Sequence, residues 1–279
     1  MKQKELSFRD VQLGALEVLK RLTALCDTHG WKYFLTYGSM LGAVRHKGII
    51  PWDDDVDIMM PRPDYEALRA YFVQNAAALA PLKLFDKASV PAYPHMIARI
   101  SDQRYHLVFD NEQDYGIGLF VDIYPLDGVG NDYNAAIQLV EKAKRTASLC
   151  FLTGRKAFGV DNTRSKLKLL VKFPAFCWAK LRGNRHYISK LETLARTFDY
   201  DSSKYIACVS WPAGPKAGQE RDIFDKALFE DLIDVPFEDT TMKIPKAYDA
   251  FLSKTYGDYM QCPPEDKRTT NHTYNAYQL

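Results

Sequence analysis

The sequence of 279 residues lacks the features that would place it at once in several large classes of protein. Its net charge is only +2, from 37 Lys and Arg against 35 Asp and Glu, so the basic excess typical of a nucleic-acid coating protein is missing. Its five cysteines show no CxxC spacing, which argues against a zinc ribbon or a disulfide framework and favours reduced thiols. The chain shows no internal repeat and no low-complexity tract.

Long hydrophobic runs are also missing. No window reaches about 18 uncharged apolar residues, so we expect no membrane-spanning helix. Charges interrupt every apolar stretch near the N-terminus, so we expect no signal peptide there. Because 47% of the residues are hydrophobic and 13% are aromatic, the chain can form a sizeable core without disulfide staples. These observations predict a globular protein in the cytoplasm.

The pattern of apolar and turn residues predicts an α/β first part, with a mixed sheet, and a mostly helical second part. We expect the first part over 1–130 and the second, which completes the site, over 131–279. The first helix, over 8–28, is supported by apolar residues at helical spacing after a capping box at Ser7 and Asp10. Further helices are predicted over 64–80, 135–150, 164–198 with breaks, 222–232 and 247–256, and strands over 31–36, 56–60, 82–85, 95–100, 105–109 and 118–124, with 257–279 irregular.

The most informative segment is 36–61, TYGSMLGAVRHKGIIPWDDDVDIMMP. Alternate residues of an extended chain share a face, so Asp53, Asp55 and Asp57 are expected to point together, and Asp54 away from them. Converging carboxylates of this kind bind hard divalent cations such as Mg²⁺ or Mn²⁺. An acidic run by itself is as often a solvated loop, so the metal prediction depends on the surrounding residues.

A candidate anion-binding turn lies upstream of the acids. Gly38 and Ser39 follow a predicted strand and open a short helix, where free N–H groups and a hydroxyl bind phosphate oxygens. Arg45, His46 and Lys47 add positive charge in the same loop. A cation-binding cluster beside an anion-binding turn predicts a site for a metal-bound nucleotide diphosphate or triphosphate.

Asp122 is the third element of this prediction, because it interrupts the apolar run LFVDIY. A carboxylate buried in a strand costs several kcal/mol unless it is paired or binds a metal. We therefore expect Asp122 to face the same cations from a neighbouring strand, with a pairing to Arg99 as the alternative. Two cations held by such carboxylates can clamp the attacking and leaving oxygens of an in-line displacement.

Two basic regions complete the candidate site. Arg99, Lys267 and Arg268 are candidate contacts for donor phosphates. The segment 164–190 has eight Lys and Arg and no Asp or Glu, and its apolar residues partly share one helical face. This segment is either an exposed helical face or a peripheral dock for anionic lipid at the inner face of the plasma membrane.

The glycine-serine turn, the hDhDh strand and the third Asp together resemble the nucleotidyltransferase fold. The longer string LGAVRHKGIIPWDDDVDI resembles the LicD family of phosphocholine transferases, to which the fukutin-related phosphotransferases are similar. Two later stretches are also similar to that family: VDIYPLDGV at 121–129 and the stretch that begins YGDYM at 256. The fifteen residues between Ser39 and Asp55 fit this subgroup better than nucleotidyltransferases at large.

The resemblance implies transfer of phosphocholine from CDP-choline to a hydroxyl of a bacterial cell-surface glycan or its lipid-linked precursor, of teichoic acid or lipopolysaccharide type, with release of CMP. For this reaction we expect Asp55, Asp57 and Asp122 to be catalytic, Asp53 to join them as a metal ligand, and Asp122 to take the proton of the acceptor. The alternatives are another phospho-alcohol (glycerol, ribitol or ethanolamine phosphate), transfer of the nucleotide itself, or a catalytically silent glycan- or lipid-binding module. None of these involves a nucleic-acid partner except transfer of a nucleotide to an RNA end.

Overall fold

The computed structural model describes residues 4–158, 166–212, 222–270 and 273–279, with side chains from 172 onward in the helix that begins at 166. Its helices are α1 Phe8–His29, α2 Tyr37–His46, α3 Arg62–Gln74, α4 Ala76–Leu79, α5 Tyr133–Gly154, α6 Lys166–Arg182, α7 Asn184–Ala195 and α8 Tyr248–Tyr256. Its strands are β1 Lys4–Glu5, β2 Phe34–Leu35, β3 Asp57–Pro61, β4 Leu82–Phe85, β5 Ala98–Asp102, β6 Tyr105–Phe109, β7 Leu119–Gly130, β8 Tyr205–Ala207, β9 Phe224–Asp225, β10 Leu232–Phe237, β11 Thr240–Pro245 and β12 Tyr274–Gln278.

A mixed sheet forms the centre of the molecule, which confirms the predicted α/β class. Its main path runs β2–β3–β7–β5–β4, and β8 and β9 continue from the far end of β7. The pair β3–β7 is parallel, whereas the other pairs along the path are antiparallel. All twelve residues of β7 are buried, as expected of a strand covered on both faces.

Two helical layers cover this sheet. The predicted first helix is confirmed as α1, with both hydrogen bonds of the capping box at Ser7 and Asp10 and with Gly30 ending it in the left-handed region. Apolar residues of α1 pack into a large core with β3, β5 and β7. A second core lies between α5, α7 and the end of β7.

Several sequence predictions at the C-terminal end were wrong. The helix expected over 222–232 is replaced by β9, a short 3-10 turn and the start of β10, since Pro236 and the turn at Glu238 close a hairpin with β11. The residues 257–279 are not wholly irregular, because β12 lies between β1 and β6 in a separate sheet. Pairing between segments so distant in the chain leaves no local signal. The division of the chain at residue 130 stays a prediction.

Among the described residues, no helix combines the length and the apolar character that crossing a bilayer requires.

Candidate active site

A row of charged residues crosses three neighbouring strands of the central sheet. Asp57 on β3 is the register partner of Asp122 on β7, and Asp122 is the partner of Arg99 on β5. Each of the three is at most 6% exposed. Arg99 donates to both oxygens of Asp122, from Nε at 2.5 Å and from Nη2 at 3.2 Å. The pairing of Asp122 with Arg99, which the sequence left open as the alternative, is therefore present. The guanidinium of Arg99 is engaged in this ion pair.

The carboxylates of Asp55, Asp57 and Asp122 converge, with one oxygen of each within 4.8 Å of the others. The Oδ1 atom of Asp57 is buried and has no hydrogen-bond partner in the described part of the chain. Burial raises the pKa of Asp57 well above its ordinary value, and the neighbouring carboxylates of Asp55, Asp122 and Asp53 raise it further. Converging oxygens with one buried atom left unsatisfied fit a hard divalent cation.

The acidic loop leading into β3 differs in backbone from the prediction. Residues 53–56 are not a strand; the strand begins at Asp57. Gln12 of α1 donates to the carbonyl oxygens of Ile50 at 3.2 Å and of Asp53 at 2.8 Å, and so fixes the loop. The acids still gather, because Asp53, Asp54 and Asp55 form a second group of oxygens within 4.8 Å of one another. Hydrogen bonds from another element thus replace the regular alternation that the sequence implied.

The glycine-serine turn lies at the start of α2, against the acids. Ser39 is buried, and its Oγ accepts a hydrogen bond from the backbone N–H of Asp57 at 2.8 Å. Its hydroxyl therefore positions the start of β3. A Cβ atom at Gly38 would lie 2.6 Å from Oδ2 of Asp53, so a larger residue would displace this carboxylate. The turn and the acids are one packed unit.

Two further glycines explain the long insertion between the turn and the acids. A Cβ atom at Gly42 would lie 2.4 Å from the carbonyl oxygen of Gly48, so the insertion folds back tightly onto α2. Glu238, in the β10–β11 turn, accepts a hydrogen bond from the N–H of Ile49 at 3.0 Å and pairs with Arg9. The insertion is therefore a built support that returns the chain to the sheet.

A cleft of about 830 Å³ opens in front of the acids. Its lining includes Gly38, Asp53, Asp55 and Asp57, with cationic and aromatic groups on either side of them. Such a cleft is large enough for a nucleotide-sized ligand.

One side of the cleft is cationic. The guanidinium groups of Arg45 and Arg268 lie 6.0 Å and 5.3 Å from the ring centre of Trp52. Arg45 also donates to the carbonyl oxygen of Tyr259 at 3.0 Å, which ties α2 to the segment after α8. Two Arg side chains held on one indole suit a diphosphate, because the planar guanidinium binds phosphate oxygens in pairs.

The other basic candidates are not among the residues that line the cleft. Lys47 is exposed at the end of α2, and Lys267 is exposed in a 3-10 turn. His46 packs edge-on against Trp52, and burial together with Arg45 lowers its pKa. The phosphate-binding roles predicted for these three residues stay predictions.

Sequence reasoning missed the aromatic side of the cleft, formed by Tyr37, Tyr124, Trp211 and Tyr256. The sequence could have predicted Tyr124, because this residue follows Asp122 by two positions and therefore lies on the same face of β7. Trp211 had no local signal, since the loop after β8 brings it to the cleft.

Comparison with known proteins agrees with this geometry. Residues 30–151 match the family model described as LicD/FKTN/FKRP, nucleotidyltransferase domain. The lipopolysaccharide cholinephosphotransferase LicD of Haemophilus influenzae is 29% identical over 278 residues, which cover 99% of this chain and 100% of that protein. The human ribitol 5-phosphate transferase FKRP is 45% identical over 42 residues, which cover 15% of this chain and 8% of that protein.

The matched region contains α2, the acidic loop and strands β3 to β7, and so every acid of the candidate site. The matched region therefore includes the turn at Gly38 and Ser39, the acids that lead into β3, and Asp122 on β7. The chain therefore carries a match to the LicD/FKTN/FKRP nucleotidyltransferase domain at residues 30–151 and is similar to LicD of Haemophilus influenzae over its full length.

Proposed function

We propose that this protein transfers phosphocholine from CDP-choline to a hydroxyl of a cell-surface glycan or of its lipid-linked precursor, and releases CMP. One observation carries the proposal: Asp57, whose buried Oδ1 has no hydrogen-bond partner among the described residues, converges with Asp55 and Asp122 beside a cleft whose lining includes Arg45 and Arg268. The full-length similarity to LicD, named as a lipopolysaccharide cholinephosphotransferase, supports the choice of alcohol and of acceptor.

In this proposal Asp55, Asp57 and Asp122 hold one or two Mg²⁺ or Mn²⁺ ions, with Asp53 beside them. Bound divalent cations would neutralise the diphosphate and the charge that develops during phosphoryl transfer. Arg45 and Arg268 bind phosphate oxygens from the cationic side of the cleft. Gly38 offers backbone N–H groups at the start of α2 and leaves room for the phosphate to approach.

The acceptor oxygen attacks the phosphorus that carries choline, the bond from that phosphorus to the CMP oxygen breaks, and the hydroxyl proton passes to a carboxylate. Both oxygens of Asp122 are engaged by Arg99, and Asp122 is only 3% exposed. Asp55 lines the cleft itself. We therefore assign proton acceptance to the second carboxylate oxygen of Asp55, whose first oxygen would hold the cation with Asp57 and Asp122.

Release of CMP from purified protein tests this proposal. CDP-choline, CDP-ethanolamine, CDP-glycerol and CDP-ribitol are compared with and without Mg²⁺, and the acceptor is examined by mass spectrometry. We expect CMP release that requires the cation and is fastest with CDP-choline, with a gain of phosphocholine on the acceptor. Addition of CMP to the acceptor would establish nucleotide transfer instead.

Transfer of ribitol phosphate is the second candidate, because part of the chain is similar to the ribitol 5-phosphate transferase FKRP. The same comparison of donors decides between the two. Faster release of CMP from CDP-ribitol than from CDP-choline would favour this candidate. Calorimetry with CDP-choline and Mg²⁺ addresses the silent module, which would bind no nucleotide in a cation-dependent manner.

We also propose that the basic segment 164–190 contacts an anionic membrane, where a lipid-linked acceptor would be met at the cytoplasmic face. Phe173, Trp178 and Leu181 are exposed large apolar residues of α6, and Lys172 and Arg182 lie among them. Such a mixture of aromatic and basic side chains suits the headgroup region. Sedimentation with vesicles of phosphatidylglycerol and phosphatidylcholine tests this membrane contact. The double variant Trp178→Ser with Leu181→Ser should no longer sediment with the vesicles. The control Phe8→Ser, at an exposed residue of α1, should still sediment with them.

A further inference from the structure

Three aromatic rings form a corner in the lining of the cleft that also contains Arg45 and Arg268. The rings of Tyr37 and Tyr124 lie 5.1 Å apart at 76°, and those of Tyr124 and Trp211 lie 6.5 Å apart at 74°. Rings set nearly at right angles meet edge to face, so they form an angled wall instead of a flat stack. All three line the same cleft as the acids.

The backbone at Tyr37 also marks this corner. Tyr37 has a φ of 44°, in the left-handed region that an aromatic residue seldom adopts. Conformations of this kind persist where the surroundings impose them, and they concentrate at binding sites. Here they place the ring against Tyr124 and Phe251, directly before the Gly38 turn.

The position of the corner relative to the acids is set by strand geometry. Tyr124 follows Asp122 by two residues on β7, so both point to the same face, about 7 Å apart along the strand. Asp57 pairs with Asp122, and Met59 pairs with Tyr124. The corner therefore begins two residues beyond the acids on each of these strands. A phosphate held at the acids therefore has the corner within the reach of a two-carbon bridge.

Charge decides which ligand suits the corner. Tyr37 and Arg45 lie at opposite ends of α2, about 12 Å apart along the helix axis at a rise of 1.5 Å per residue. The carboxylates of Asp55 and Asp57 line the same cleft. A positive group is attracted to these carboxylates and to the faces of Tyr and Trp rings, which carry partial negative charge. A quaternary ammonium has no hydrogen to donate, so it is recognised by such faces without a specific hydrogen-bond acceptor.

We propose that Tyr37, Tyr124 and Trp211 form the subsite for the trimethylammonium group of the donor, and that this corner sets the preference for choline over other alcohols. This inference rests on the proposed function for its donor. It assigns the cytidine to the cationic end of the cleft.

Calorimetric titration with phosphocholine, phosphoethanolamine and CMP tests the subsite apart from turnover, in the presence of Mg²⁺. Trp211→Leu should weaken phosphocholine binding about tenfold, which is the order expected when one cation–π contact is lost. The same substitution should weaken phosphoethanolamine binding about threefold or less. It should leave CMP binding unchanged. Trp211→Phe keeps an aromatic face and should stay within about threefold of wild type.

Trp31→Leu is the matched control, because Trp31 stacks on His29 outside the cleft and its loss should change none of the three affinities. Equal loss of CMP and phosphocholine binding in Trp211→Leu would place the base in the corner and overturn the proposal. So would wild-type protein that binds phosphocholine no better than phosphoethanolamine. Absence of CMP release from every CDP-alcohol would instead reject the proposed function, while the titration still judges the subsite.

Discussion

Two buried aspartates on the central sheet differ in how the protein balances their charge. Asp127 on β7 is fully buried, and it accepts hydrogen bonds from Nε of Arg62 at 2.6 Å and from the N–H of Val209 at 3.0 Å. Asp57 on β3 is almost as buried, but its Oδ1 has no partner in the described part of the chain. Burial raises the pKa of both groups, to about 6 for Asp127, where Arg62 opposes the rise.

The difference lies in where the compensating charge comes from. Arg62 supplies a guanidinium to Asp127, whereas the carboxylates of Asp55, Asp122 and Asp53 raise the pKa of Asp57 and Arg99 opposes that rise. A buried charge surrounded by like charges destabilises a fold unless another ion neutralises it. The site is therefore identified by the charge that the protein leaves unbalanced.

Removing the unbalanced acid should affect activity far more than folding. Asp57→Asn should lower CMP release about a thousandfold or more, because a cation ligand near the reacting phosphate is lost. Steady-state kinetics with CDP-choline and Mg²⁺ measures the effect, and circular dichroism checks the fold. Asp239→Asn, at an exposed carboxylate paired with Lys20, is the control and should leave turnover within about twofold. Activity near wild type in Asp57→Asn would reject the proposed site.

Removing the balanced acid should affect folding more than chemistry. Asp127→Asn leaves Arg62 buried without its main partner, which should lower the free energy of unfolding by about 3–5 kcal/mol. Urea denaturation measures the loss. The folded fraction should keep Mg²⁺-dependent turnover, so a variant that is stable but inactive would contradict the comparison.

Divalent cation should stabilise the protein through Asp57. Mg²⁺ or Mn²⁺ at about a hundred times its dissociation constant should raise the free energy of unfolding by about 2.7 kcal/mol. Thermal unfolding with and without the ion measures the increment. It should vanish in Asp57→Asn and persist in Asp239→Asn; an equal increment in both variants would place the cation elsewhere.

The cationic side of the cleft should act on donor binding. Arg268→Ala should raise the KM for CDP-choline about tenfold, equivalent to about 1.4 kcal/mol, with a smaller change in kcat. Arg104→Ala is the matched control, since Arg104 is exposed, pairs with Asp102, and is not among the residues that line the cleft. A KM that rises equally in both variants would show a general effect of charge.

The metal-free protein should gain stability when Asp57 loses its charge. Its raised pKa in the folded state means that folding favours the neutral acid, so the contribution of Asp57 is most favourable at low pH and is lost as the pH rises toward that pKa. Asp57→Asn should therefore raise the unfolding temperature at pH 8 in chelator by about 2–4 °C, for a gain of about 1 kcal/mol. At pH 4 the difference should shrink; a larger gain at pH 4 would contradict the reasoning.

Local patterns predicted part of the fold and part of the site. The capping box and the apolar spacing located α1, and the acid inside an apolar run located Asp122 on β7. From the sequence, the pairing of Asp122 with Arg99 is only an alternative. The sequence shows that both charged residues exist, but it does not show that their strands are neighbours. The C-terminal strand β12, the Arg62–Asp127 pair and the position of Trp211 depend on contacts between distant segments, which no local pattern records.

A crystal soaked in Mn²⁺ and CDP-choline tests the central claim most directly. The anomalous signal of Mn²⁺ should lie within coordination distance of Oδ1 of Asp57 and of oxygens from Asp55 and Asp122, with the diphosphate beside it. Mn²⁺ bound elsewhere, or a diphosphate ordered in the cleft with no ion at these carboxylates, would contradict the account.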